Sequence, residues 1–98
     1  MTTKHTQGPW RIGKFYGAVV ADTPVNAGLD NEHVEAYGGH LIAESIAVCN
    51  RPLIAAAPEL LMAAMRYLNA LDTWDGSRKA ERHTERMEAD LRAAIAKA

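Results

Sequence analysis

One stretch, Asn50 to Asp72, sets the terms for the rest of the chain; it reads NRPLIAAAPELLMAAMRYLNALD. Leu53, Ile54, Ala57, Leu60, Leu61, Ala64, Leu68 and Leu71 recur at helical spacing and predict one apolar stripe along a helix over 50–72. Asn50 stands where an N-cap belongs, and Pro52 fits the first turn, where a missing N–H costs little. Pro58 removes the bond to the carbonyl of Ile54, so a kink or a restart is expected there. The stripe needs something to cover it, and the remaining segments are read as that cover.

Upstream, residues 1–7 are polar and are expected to fray, and residues 8–46 read as a β-meander. After the Gly8-Pro9 turn signal, 10–14 (WRIGK) and 18–22 (AVVAD) predict an antiparallel pair, with Phe15-Tyr16-Gly17 as the bend. Residues 22–32 carry Pro, Gly, Asn and Asp without a period and predict a loop. Residues 33–37 (HVEAY) predict a third strand, Gly38-Gly39 a two-residue hairpin turn, and 40–46 (HLIAESI) a further strand. Downstream, Asp72 to Gly76 is a breaker, and Ser77 is the predicted N-cap of a second helix over 77–96. Arg86–Asp90 and Glu88–Arg92 are available as i,i+4 ion pairs on it. Strands followed by helices predict an α+β fold: an N-terminal antiparallel sheet of three to four strands, then an antiparallel two-helix hairpin, within one domain spanning 1–98.

Charge narrows the partners. The chain has 98 residues and a formal net charge of −1, a balance that argues against general nucleic-acid binding or binding to an anionic membrane. Residues 1–50 carry three Lys/Arg and five Asp/Glu, and 51–98 carry eight and seven, so neither half is polarised. No apolar run reaches transmembrane length, and the N-terminus has no signal-peptide pattern, so a cytoplasmic location in a bacterial host is expected. The lone Cys49 permits no internal disulfide.

Catalytic patterns are sparse. Cys49 precedes a helix start, but the nearest histidine, His40, has nothing to orient it; a buried structural cysteine is the expected role. His5, His33, His40 and His83 lack ligand spacing, and Gly38-Gly39 is followed by no phosphate-binding Lys-Ser/Thr. No catalytic residue, metal or cofactor is expected, and the chain reads as a non-enzyme. A binding surface is the alternative. Trp10, Arg11, Tyr16, His40 and Arg51 combine aromatic and basic groups with a helix start, which suits a nucleotide-like ligand. On the central helix, Ala55, Met62, Ala63, Arg66 and Ala70 lie opposite the main stripe and predict a homo-oligomer interface.

Four blocks also carry a family resemblance: GPWRI, HLIAES, NRPLIAAAPELLMAAM and LRAAIAKA. Together they resemble small phage and prophage proteins of proteobacteria that share an N-x-x-LIAAAPELL helix. Pro52 departs from that pattern, which more often has a polar or basic residue before the Leu-Ile pair. The resemblance implies a phage origin, not a mechanism. Joined to the absence of a catalytic constellation, it leads to the expectation of a non-enzymatic accessory protein, with counter-defence by stoichiometric binding of a host defence protein or of its signal as the leading role. One alternative is a sponge that sequesters a nucleotide immune signal. Another is a structural or regulatory phage protein contacting DNA or a second phage protein.

Overall fold

A computed structural model of the chain describes residues 5–15, 17–24 and 31–98. The elements run β1 (Trp10–Ile12), β2 (Val19–Ala21), α1 (Asn31–Tyr37), β3 (His40–Ala43), α2 (Arg51–Asp72) and α3 (Arg78–Lys97). The fold is α+β, a three-stranded antiparallel sheet followed by two long helices. The chain divides into two compact units, Met1–Pro58 with Ala98, and Glu59–Lys97.

In the first unit the strand order is β1-β2-β3. Ala18, Val19, Val20 and Ala21 are buried on both faces, which explains why this run is uniformly apolar rather than alternating. The β1–β2 bend closes with Gly13 N–H donating to Ala18 O at 2.8 Å and Ala18 N–H to Phe15 O at 3.1 Å. Gly17 takes φ +57° there, and a Cβ at that position would stand 2.6 Å from Ile46 O and 2.7 Å from an Arg51 guanidinium nitrogen. Across β2–β3 the register changes between Val19 and Val20, leaving one extra residue in β3, a bulge.

The third strand expected over 33–37 is instead part of α1. Gly38, at φ +82°, ends that helix in the left-handed conformation, and Val34 O accepts from both Gly38 N–H (3.0 Å) and Gly39 N–H (2.9 Å). The glycine pair is therefore a helix cap leading into β3, not a hairpin turn. Lys14 N–H also reaches Tyr37 O at 2.9 Å, so β1's extension holds the last carbonyls of a seven-residue helix too short to persist alone. Residues 25–30 of the expected loop lie outside the described residues.

A 3₁₀ turn, Val48–Asn50, leads into α2, which runs unbroken through Pro58. Cys49 is exposed rather than buried, and its thiol approaches Asn50 Oδ1 at 3.6 Å.

In the second unit, α3 returns antiparallel to the 59–72 part of α2: Lys97 Nζ lies 3.8 Å from Glu59 Oε2 at one end, and Ala70 borders the same cleft as Ala80 at the other. Ser77 caps α3, its Oγ accepting Ala80 N–H at 3.0 Å. Asp75 Oδ1 in turn accepts Ser77 N–H at 2.9 Å. The Glu88–Arg92 pair forms at 3.3 Å; Arg86–Asp90 does not appear among the described residues.

The inward face of α2 differs from the expected one. Ala63 (6 % exposed) and Ala70 (2 %) are covered, whereas Leu61 (43 %), Leu68 (58 %) and Leu71 (45 %) are open. Ala56, Leu60, Ala63, Tyr67 and Ala70 repeat in steps of four and three, and Ala57, Leu61, Ala64, Leu68 and Leu71 repeat in the same steps one residue on. The helix thus carries two parallel seams. The alanine-rich one is inside because small side chains let a neighbouring backbone come close and are then fully covered. Summed hydrophobicity favours the leucine seam, which is why periodicity alone selects the wrong face.

Candidate functional site

The sheet gathers only some of the residues expected to bind a ligand. Trp10 pairs with Ala21, and Ala21 with His40, so Trp10 and His40 lie in one row on one face. Strand spacing puts them roughly 9–10 Å apart, with Ala21 between. Trp10 Nε1–H donates to Thr6 O at 3.2 Å, and the His5 ring meets the indole edge-on, with centroids 6.1 Å apart. Arg11 follows Trp10 on the strand and so projects from the opposite face. Tyr16 lies outside the described residues.

Both arginines of the expected site are already bonded within the chain. Arg11 Nη1 donates to Asp22 Oδ1 and Nη2 to Gly38 O at 2.6 Å, tying β1 to the end of β2 and to the cap of α1. Arg51 Nε donates to Ile46 O at 2.9 Å, while Ile46 N–H reaches Gly17 O at 3.1 Å. Arg51 therefore clamps the chain after β3 beside the β1–β2 bend. Tyr37 O–H donates to Glu44 Oε2 at 2.7 Å. These polar groups hold the unit together and do not converge on a shared opening.

The residues expected to form an oligomer interface do not make one exposed face either. Ala63 and Ala70 are buried by the chain itself, Ala55 is half-buried, and only Met62 and Arg66 stand open. Beside the exposed Met62, Trp74 and Ile95, this unit exposes Leu61, Leu68 and Leu71 in one row along α2, with the half-buried Ala64 between them. Nothing polar interrupts that row, and its 4-3 spacing is that of a helix seam. The signal was present in the sequence as the second of two heptad-spaced seams.

At the turn between the helices lies an open cleft of about 280 Å³, bordered by Thr73, Asp75, Ser77, Lys79 and His83. Its polar groups are largely engaged: Thr73 Oγ1 donates to Asn69 O at 2.8 Å, and Asp75 and Ser77 bond each other. The Ser77 hydroxyl, then the Ser77 N–H, hold the Asp75 carboxyl below the ordinary carboxylate range. Among the described residues, no three His, Cys, Asp or Glu side chains gather as metal ligands would, and no helix is long and apolar enough to cross a membrane.

The whole chain, residues 1–98, matches one protein family. It belongs to the Salmonella phage P22 protein Y8K6 family. No match was found among curated proteins or among solved structures. Membership in the Y8K6 family makes the chain a small phage protein, the origin that the family resemblance implied. The family description states an origin and no activity, so any Y8K6 chemistry has to be argued from the surfaces above.

Proposed function

We propose that this Y8K6-family chain is a non-enzymatic phage accessory protein that acts by stoichiometric binding of a host protein, with the leucine ridge of α2 as its contact. The observation that supports this is the run Leu61, Ala64, Leu68, Leu71, three of its four members more than two-fifths exposed. An amphipathic helix that lays such a run into an apolar groove is a recurring mode of recognition. Covering each half-open leucine contributes about 1 kcal/mol, so the ridge supplies a few kcal/mol before any polar rim is added. Within this class we favour a host defence component as the partner, because a phage origin makes counter-defence a natural use for a binding protein. The sponge reading draws no support from the sheet, where Arg11 and Arg51 are already bonded.

Self-association is a second reading with its own observation. In an antiparallel pairing of two copies, Leu68 falls opposite Ala64, large against small, in a self-complementary seam.

Immobilised wild-type protein and a Leu61→Glu/Leu68→Glu double variant, each exposed to lysate of infected host cells, test the proposal. The expected result is one host protein retained near equimolar ratio by the wild type and lost with the variant, whose circular dichroism is unchanged. Equal retention by both, or a small molecule released on denaturing the wild type, would contradict it. Light scattering of the two purified proteins decides the second reading: a wild-type mass above 10.7 kDa that collapses to the monomer in the variant supports it.

A further inference from the structure

The first half of α3 sorts its charges by side. At about 100° per residue, Arg78, Lys79, Arg82 and Arg86 fall within roughly 100° of arc, on the side away from the half-buried Ala80, Thr84 and Leu91. Glu81 and Glu85 lie on the adjoining flank, and all six side chains are exposed. Among the described residues, none of the four cations stands within ion-pair or hydrogen-bond distance of a partner, and only Lys79 acts at longer range, on the Asp75 carboxyl; Arg92 and Lys97 of the same helix pair with Glu88 and Glu59.

This arrangement works against the helix in two ways. Steps of four bring Arg78 beside Arg82 and Arg82 beside Arg86, and like charges so placed repel. Arg78 and Lys79 also open the helix, where the peptide dipole favours acids, and Glu81 is the acid of that first turn. A sequence arranged for helix stability alone would do the reverse on both counts. An external polyanion would relieve both.

We propose that the Arg78/Lys79/Arg82/Arg86 face of α3 is a contact surface for the phosphate backbone of double-stranded DNA. Arginine forks suit phosphate oxygens, and an α-helix fits against the wide groove of B-form DNA. Single strands are disfavoured because α3 has no Phe, Tyr or Trp on which a base could stack, and its one imidazole, His83, lies outside the basic arc. Duplex RNA is disfavoured because its A-form major groove is closed to side chains. An acidic protein surface would want apolar anchors at the centre of the contact; beyond Arg86 the same arc continues as Ala89, Ala93 and Ala96, with Lys97, which pairs with Glu59, at its edge. The whole-chain charge of −1 averages this face away, so contact is short-range and non-specific. The inference does not depend on the leucine ridge, and Leu61→Glu/Leu68→Glu should bind DNA as the wild type does.

Fluorescence anisotropy with a random-sequence duplex of about 20 base pairs tests it. Dissociation constants of about 10⁻⁴ to 10⁻⁶ M at physiological salt are expected, with a log–log salt slope of about −3 to −4 for four phosphate contacts. Arg82→Gln should flatten that slope by about one, and Arg78→Gln/Arg82→Gln/Arg86→Gln should abolish binding. Glu85→Gln should tighten binding, and Arg92→Gln, which removes a paired charge from the same helix, should leave the slope unchanged. Every substituted side chain is exposed, so circular dichroism should be unaltered. The proposal is overturned by no binding at about 50 mM salt, by Arg92→Gln matching Arg82→Gln, or by polyglutamate displacing the duplex as well as unlabelled DNA does at equal charge.

Discussion

The sheet unit and the helical unit use their side chains in opposite ways. In the first, the cations at both ends of the sheet turn inward onto the backbone: Arg11 onto Gly38 O and Arg51 onto Ile46 O. In the second, Leu61, Leu68 and Leu71 and the arginines of α3 face outward. Short strands of three or four residues cannot hold a sheet by ladder bonds alone, so side-chain-to-carbonyl bonds fasten the connections. A long helix satisfies its own backbone and leaves its outer faces available for contacts. The difference lies in the cations: Arg11 and Arg51 of the first unit bond its own carbonyls, and the arginines in the first half of α3 bond none.

The largest effect that would sharpen this contrast is expected at the β1–β2 bend. Gly17→Ala combines a positive φ with a Cβ driven against Ile46 O and the Arg51 guanidinium, and should cost about 2–4 kcal/mol in denaturant unfolding. A Gly17→Ala variant as stable as the wild type would mean that the clamp is not tight. Next comes Arg51→Ala, expected to cost about 1.5–3 kcal/mol because a charged donor leaves a part-buried carbonyl without its partner. A melting temperature unmoved by that change would return Arg51 to the ligand-binding role that its place near a helix start first implied.

Helix ends of the second unit should respond more mildly. Ser77→Ala removes the cap on Ala80 N–H and should cost about 1 kcal/mol. Asp75 should add a small pH dependence. Its folded carboxyl titrates below the ordinary range, so its contribution is present above the unfolded pKa and fades as pH falls through the folded one. Asp75→Asn should therefore narrow the stability difference between neutral and strongly acidic pH; a wild-type acid profile in that variant would contradict the assignment.

Much of this fold is legible because local chemistry and tertiary structure agree. Trp10 to Ile12 and Val19 to Ala21 carry β-formers on both sides of a glycine bend, and Ser77 announces α3 by a side chain that caps three residues away. Residues 33–37 mislead because His33-Val34-Glu35-Ala36-Tyr37 fits a strand as well as a helix. Distant bonds decide it: Lys14 N–H to Tyr37 O, and the left-handed Gly38. Periodicity misassigns the inward face of α2 because two seams share one spacing, and side-chain size rather than hydrophobicity determines which is covered. Of the expected ligand residues, Trp10 and His40 do share a face, but the bonds that occupy Arg11 and Arg51 reach carbonyls whose positions no local pattern reveals. The basic side of α3 is hidden when charge is counted over half-chains instead of around the helix.

The binding account rests on which seam of α2 faces outward, and chemical denaturation of Leu68→Glu beside Ala63→Glu measures that directly. The account predicts that Leu68→Glu stays within about 0.5 kcal/mol of the wild type, as an exposed substitution should. Ala63→Glu should lose about 3 kcal/mol or more, because a charge is forced into a covered position. The reverse order, with Leu68→Glu unfolded and Ala63→Glu tolerated, would place the leucine seam inside and remove the proposed contact surface.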